Sequence, residues 1–296
     1  MKQLLIISGK GGTGKTTVAA AFIALAKARA CADCDVDAPN LHFVLDSVPV
    51  AETEAFYGMD VASIQQEDCD ECGLCRDHCR FGAILEDGQG KGFVVNTPAC
   101  EGCGVCEVLC PQKAITMVTD QAGDMTLHAS ERQIFSTAQL KMGKGNSGLL
   151  VTQVKKRMVN NLLPETSLAI IDGSPGIGCP VIASLNGVDM VLLVVEPTLS
   201  GISDMERIVA TAKRSAVPIG VCVNRSTMSK EYTERIATIC HELGLHYLGE
   251  IPYDAHVVQA INSGRTIMEF DCPASQSLRD IFTKTLHCMQ KEERFL

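Results

Sequence analysis

Two groups of residues in this chain have types and spacings that could do chemistry. The first is a glycine-rich loop, Gly9-Lys10-Gly11-Gly12-Thr13-Gly14-Lys15-Thr16-Thr17, which satisfies G-x-x-x-x-G-K-[ST]. Its glycines let backbone N–H groups converge on phosphate oxygens, and a helix starting there adds the partial positive charge of its N-terminus. In such a loop Lys15 reaches the β- and γ-phosphates and the Thr16 hydroxyl ligates Mg2+, so MgATP is the expected ligand. The second group is a pair of cysteine runs, Cys69-x2-Cys72-x2-Cys75-x3-Cys79 and Cys100-x2-Cys103-x2-Cys106-x3-Cys110. Thiolates at this spacing can surround an iron–sulfur cube while loop N–H groups turn toward the sulfurs. Zinc is the competing metal, but it usually takes paired CxxC knuckles rather than two full runs of four.

The elements that must hold these residues follow from the apolar pattern. Residues 4–8 form a continuous apolar run, as in a buried parallel strand, and lead into the glycine loop. An Ala-rich stretch, 16–30, reads as a helix, and a second strand over 30–36 ends among aspartates. Apolar strands recur at 168–172, 190–196, 217–224 and 244–252, with helices at 201–216 and 230–243 between them. This alternation predicts an α/β fold with a doubly wound, mostly parallel sheet and right-handed crossovers. Residues 60–119 break the rhythm, and it recovers by 147–163. The predicted organisation is therefore an ATPase domain in two parts, 1–59 and 120–296, interrupted by an inserted small α+β domain. The two cysteine runs repeat one another within that insert, each followed by an Ala-Ile pair, which implies pseudo-twofold symmetry.

Lys10 gives the loop a second lysine, as KGGTGKT, and in this the sequence resembles the deviant-Walker ATPases of the MinD/ParA/Mrp type. In that family the extra lysine crosses a nucleotide-sandwich homodimer to the partner's phosphates. The resemblance covers the whole chain outside the insert. It implies that Asp33 supports Mg2+ through water and that Asp35 orients or deprotonates the attacking water, with Asp37 as a rival for that role. It also implies that Asp172, opening Asp172-Gly173-Ser174-Pro175-Gly176, begins a switch that senses the γ-phosphate. Asn224 matches the adenine-reading position or is a strand-end turn residue, and Pro252 and Asp254 match a loop under the base. The nitrogenase iron protein shares the switch and carries a cluster-bridging cysteine at an offset like that of Cys179, for which no second ligand is evident here.

The insert resembles a bacterial two-[4Fe–4S] ferredoxin, in which the fourth cysteine of each run ligates the other cluster. One cluster would then use Cys69, Cys72, Cys75 and Cys110, and the other Cys100, Cys103, Cys106 and Cys79. One departure is that Pro111 follows Cys110 as expected, but Arg80 follows Cys79. Of the remaining cysteines, Cys31, Cys34, Cys222, Cys240, Cys272 and Cys288 read as packing residues, and Cys179 as a buried or merely reactive thiol.

Composition narrows the functions. The formal net charge is −9, and residues 60–119 hold ten Asp/Glu against four Lys/Arg, so about −6 of it lies there. An acidic chain without Trp suits neither phosphate-backbone binding nor base stacking, so nucleic acid is not the expected partner. No apolar run reaches the roughly 20 residues of a membrane helix. The start, MKQLLIISGKGG, reads as a strand and loop rather than a secretory signal, which places the protein in the cytoplasm with metal-binding rather than disulfide cysteines. The leading expectation is an ATP-hydrolysing, nucleotide-gated electron carrier, homodimeric with ATP, that reduces a partner metalloprotein. The alternative is an Mrp-like ATPase that assembles or transfers iron–sulfur or metal clusters, although the paired C-terminal CxxC of those carriers is missing. A MinD-like spatial organiser would want a basic amphipathic tail, whereas 277–296 carries mixed charge and is expected to pack on the sheet.

Overall fold

The apolar run after the start of the chain becomes the central strand β1 (Lys2–Ser8), and its neighbours in the sheet come from both halves of the sequence. The structure is a computed structural model that describes residues 1–45, 49–88 and 92–291. The other strands described are β2 (Ala30–Asp33), β3 (Val50–Tyr57), β4 (Val61–Ile64), β5 (Ile84–Glu86), β6 (Phe93–Val95), β7 (Ile115–Val118), β8 (Gln121–Ala129), β9 (Ile134–Leu140), β10 (Leu168–Asp172), β11 (Met190–Val195), β12 (Ile219–Asn224) and β13 (His246–Ile251). The helices are α1 (Lys15–Ala26), α2 (Leu74–Asp77), α3 (Val105–Leu109), α4 (Ser147–Asn160), α5 (Cys179–Leu185), α6 (Leu199–Ala212), α7 (Lys230–Glu242), α8 (Ala255–Asn262) and α9 (Pro273–Lys291).

The main sheet runs in the order β13-β12-β11-β1-β10-β2-β9-β8-β3. Pairing is parallel from β13 through β9, and antiparallel for β9 with β8 and β8 with β3. Successive residues of β1 serve opposite faces: Leu4 and Ile6 join one apolar core, Leu5 and Ile7 the other. Burying each such side chain contributes about 1.5–3 kcal/mol, so this strand anchors both layers. On one face α1 packs with α9, where Phe22 and Phe282 meet edge-on at 5.0 Å. The tail therefore lies on the molecule through Leu278 and Ile281, as expected from its pattern. Residues 292–296 of that stretch lie outside the described residues.

Two boundaries differ from the sequence reading. The first helix ends at Ala26, because Lys27 takes a left-handed conformation (φ 46°) and Ala28 N–H returns to Ile23 C=O at 3.0 Å. β2 stops at Asp33, because that carboxylate turns the chain by accepting three backbone N–H groups from the following loop. The antiparallel margin of β3, β8 and β9 has no counterpart in the expected pattern. β3 is an exposed edge carrying Glu52 and Glu54, with little apolar signal to betray it.

Residues 58–120 leave and re-enter this margin at one point, since Tyr57, ending β3, pairs with Gln121, opening β8. Between them β4 pairs with β7 and β5 with β6 in two short antiparallel two-stranded sheets around a small separate core of Ala62, Ile84, Phe93 and Ile115.

Candidate nucleotide site and cysteine cavities

The glycine loop lies at the carboxyl end of β1, where sheet order reverses between β10 and β11, which is where open α/β sheets bind ligands. A cleft of about 660 Å3 opens there, lined by Gly11, Gly12, Gly14, Lys15, Thr16 and Thr17 on one side. Gly14 has φ +89°, and a Cβ on it would lie 2.3 Å from Asn224 Nδ2, so conformation and space both demand glycine. A Cβ on Gly9 would meet that of Asp204 at 2.2 Å.

Lys15 and Thr16 converge on Asp172. Lys15 Nζ donates to Asp172 Oδ1 at 2.6 Å and Thr16 Oγ1 to Oδ2 at 2.7 Å, while Asp35 Oδ2 lies 3.7 Å from the same ammonium. Burial alone would lower the Lys15 pKa, but Asp172, Asp35 and Asp33 outweigh it, so the lysine stays charged. Burial pushes Asp35 up to about 6 against the pull of Lys15, with Asp172 and Asp37 adding to the rise. Asp35 and Asp37 both line the cleft. Thr16 and Asp172 together offer the oxygens that Mg2+ prefers, and the loop amides offer a phosphate cradle.

The other expected site residues are placed as follows. Asp33 is fully buried, and its oxygens accept from Asp35 N–H (3.0 Å), Asn40 N–H (2.9 Å) and Leu41 N–H (2.9 Å). Burial and then the nearby Asp172 raise its pKa, and its three N–H bonds make Asp33 a brace for the loop. Asn224 lines the cleft, but its amide donates to Thr13 C=O at 2.7 Å and so holds the phosphate loop. Pro252 lines the cleft beside Asp254, which caps α8 through His256 N–H at 3.0 Å. Lys10 points away from its own loop cavity, with Nζ 3.4 Å from Glu196, a residue also paired with Arg225.

The cysteine runs enclose two cavities. One is lined by Cys69, Cys72, Cys75 and Cys110, the other by Cys100, Cys103, Cys106 and Cys79. The last cysteine of each run has thus crossed to the other's cavity. The repeat extends to the backbone: Ala83 N–H points at Cys79 Sγ and Ala114 N–H at Cys110 Sγ, both at 3.3 Å. Gly73 and Gly104, both left-handed, open α2 and α3 at matching positions. Cys31 and Cys34 are both buried but belong to opposite apolar cores, so they share no site. Cys222, Cys240 and Cys272 are buried too, and Cys288 is half-buried. Cys179 is exposed rather than buried, at the start of α5.

Sequence reasoning overlooked the contacts made by α4 and the loop before it. The loop 141–146 before it grips the base of the insert: Lys144 pairs with Asp120, and a Cβ on Gly143 would lie 3.4 Å from that of Pro98, beside Cys100. Farther along, the buried Lys155 donates to Ser184 C=O at 2.7 Å and to Asn186 C=O at the end of α5. Arg157, also buried, binds Glu52 and Glu54 of β3 at 2.8 Å each. Helix α5 itself follows the 172–178 loop that starts at Asp172. The sequence shows two cations two residues apart, Lys155 and Arg157, but neither their burial nor their partners.

Backbone amides at the tip of a central parallel strand, with a lysine and threonine drawn to one carboxylate, are the arrangement of a P-loop nucleotide hydrolase. The chain belongs to the CobQ/CobB/MinD/ParA nucleotide binding domain family, whose profile matches residues 4–267. It is an ATP-binding member of that ATPase family. It is 30% identical over 286 residues to an uncharacterized protein of Methanocaldococcus jannaschii, covering 95% of each chain. It is 26% identical to the septum site-determining protein MinD of Bacillus subtilis, covering 96% of this chain and 89% of the other. An iron-sulfur cluster carrier protein of M. jannaschii is 27% identical over 130 residues, 40% of this chain and 45% of that one. Among solved structures, MinD of Pyrococcus horikoshii complexed with Mg-ADP shares the fold with a TM-score of 0.57 at 18% identity, covering 96% and 95% of the two chains. No helix among the described residues is long and apolar enough to cross a membrane.

Proposed function

We propose that the chain is an ATP-hydrolysing iron–sulfur protein in which nucleotide gates electron transfer from two [4Fe–4S] clusters, held in a ferredoxin-like insert, to a partner metalloprotein. The observation that carries this reading is the pair of cavities, each lined by four cysteines with the fourth exchanged. Cubane clusters fit that donor set: eight thiolates in two groups, with amides aimed at sulfur. Zinc fits it less well. A tetrahedral ion with Zn–S near 2.3 Å draws its sulfurs to about 3.8 Å of one another. Among the described residues, no three of these cysteines bring their sulfurs within 4.8 Å of one another. When bound, the clusters supply one-electron redox chemistry, and the chain's residues hold them and govern access.

At the nucleotide site, the loop amides and Lys15 bind phosphate, Thr16 holds Mg2+, and Asp35 orients the attacking water with Asp37 beside it. Lys15 now donates to Asp172, so an incoming phosphate competes with that carboxylate for the ammonium, while Thr16 can ligate Mg2+ through its oxygen and keep its bond to Asp172. The competition gives Asp172 a reason to move, and with it the 172–178 loop and α5. Lys155 joins α5 to α4, and the loop before α4 grips the insert near Cys100, so the displacement has a packed route to the second cysteine cavity.

The competing reading, cluster assembly or transfer, draws on the partial similarity to the M. jannaschii carrier. Sites with four ligands from within one chain favour retention over donation. Anaerobic purification followed by iron and sulfide analysis tests the proposal. About eight irons per chain are expected, and zinc without iron would overturn it.

A further inference from the structure

Away from both cysteine runs, three different metal donors meet beside the nucleotide cleft, which one of them, Asp254, lines. Asp254 caps α8, His256 lies in its first turn, and Cys272 immediately precedes α9. A carboxylate oxygen, an imidazole nitrogen and the thiol sulfur of these residues all lie within 4.8 Å of one another. Among the described residues no other three Cys, His, Asp or Glu side chains draw so close. His256 Nδ1 is 2.8 Å from Asp254 Oδ1, and the other carboxylate oxygen accepts from Ala274 N–H at 3.2 Å. Cys272 is buried, the Asp254 side chain is 8% exposed and His256 is 49% exposed. Two donors thus come from buried side chains and the third from a half-exposed one.

We propose that Asp254, His256 and Cys272 form a binding site for one zinc-type divalent transition-metal ion, with water as the fourth ligand. A thiolate, an imidazole and a carboxylate together are the donors of zinc chemistry; magnesium and calcium want oxygen alone. Cys272 releases its proton to solvent as it binds, and His256 binds as the neutral ring. The Ala274 amide orients the carboxylate from behind, as outer hydrogen bonds do in metal sites. The ion joins the 252–254 segment, which lines the cleft, to the start of α9, whose Leu278 lines it too. Its role is to clasp the wall beside the base, independent of the clusters.

The test adds zinc alone to the full chain, purified anaerobically and stripped of loosely held metal with a mild chelator. About one added zinc per chain is expected, with iron unchanged and a zinc-edge X-ray absorption spectrum showing one sulfur near ~2.3 Å among nitrogen and oxygen neighbours near ~2.0 Å. His256→Ala, at a half-exposed position, and Cys272→Ser should each weaken zinc binding by at least about tenfold. Failure to retain zinc, a shell of four sulfurs, or undiminished zinc on His256→Ala would overturn the proposal.

Discussion

At the residue scale, Lys15 is the point where the proposed phosphate chemistry and the proposed switch would share one atom. Its ammonium is held by Asp172 at 2.6 Å and approached by Asp35 at 3.7 Å. Lys15→Ala should reduce ATP hydrolysis by roughly 100-fold or more, in line with losing a main charge-stabilising donor, while iron per chain stays unchanged. Retained hydrolysis would refute the loop assignment. Gly14→Ala should abolish nucleotide binding in a filter or fluorescence assay, because the new methyl meets the Asn224 amide that secures Thr13. The glycine loop and the eight cysteines were legible in the sequence because their chemistry depends on local spacing. Asp33, Asn224 and Asp254 were less so. Each has its oxygen or amide engaged by backbone that only the folded loops bring near, and no motif records whether a carboxylate faces water or three N–H groups.

At the element scale, α4 carries the account. Its two buried cations face different neighbours, Lys155 toward α5 and Arg157 toward β3, so the helix ties the switch side of the molecule to the stem of the insert. Lys155→Met keeps the length and removes both hydrogen bonds to α5. Any effect of MgATP on the second cluster should shrink in this variant, while hydrolysis persists. EPR of the reduced protein with and without MgATP checks this. Lys155 also gives a pH signature. Burial lowers its pKa, so the folded state loses this proton before the unfolded chain does, and stability rises with pH between the lowered value and the ordinary 10.5. The thermal midpoint of the parent, measured relative to Lys155→Met, should therefore climb as pH is raised through the alkaline range. A flat difference would mean that the lysine is not desolvated. The central parallel strands β1, β10 and β11 announced themselves as apolar runs, buried on both faces. The edge strand β3 did not, since its outward residues are polar and its anchorage comes from Arg157, about a hundred residues away.

At the scale of the whole molecule, the acidic segment 60–119 leaves and re-enters one margin of the main sheet. Lys10 is turned outward on that sheet and held by Glu196. In a sandwich dimer this lysine would exchange Glu196 for the phosphates of the second copy. Lys10→Ala should accordingly lose ATP-dependent dimerisation in analytical ultracentrifugation while still binding nucleotide. A dimer that persists would place the contact elsewhere. The acid of the insert favours a partner with a basic docking face, which predicts association that weakens as salt is raised. The most direct measurement is an anaerobic EPR redox titration of both clusters with and without MgATP, run in parallel on Lys15→Ala. Two cubane signals, at least one of them shifting in potential or line shape with MgATP in the parent and not in the variant, are the predicted result. Two signals indifferent to nucleotide in both proteins would contradict the coupling of ATP to electron transfer.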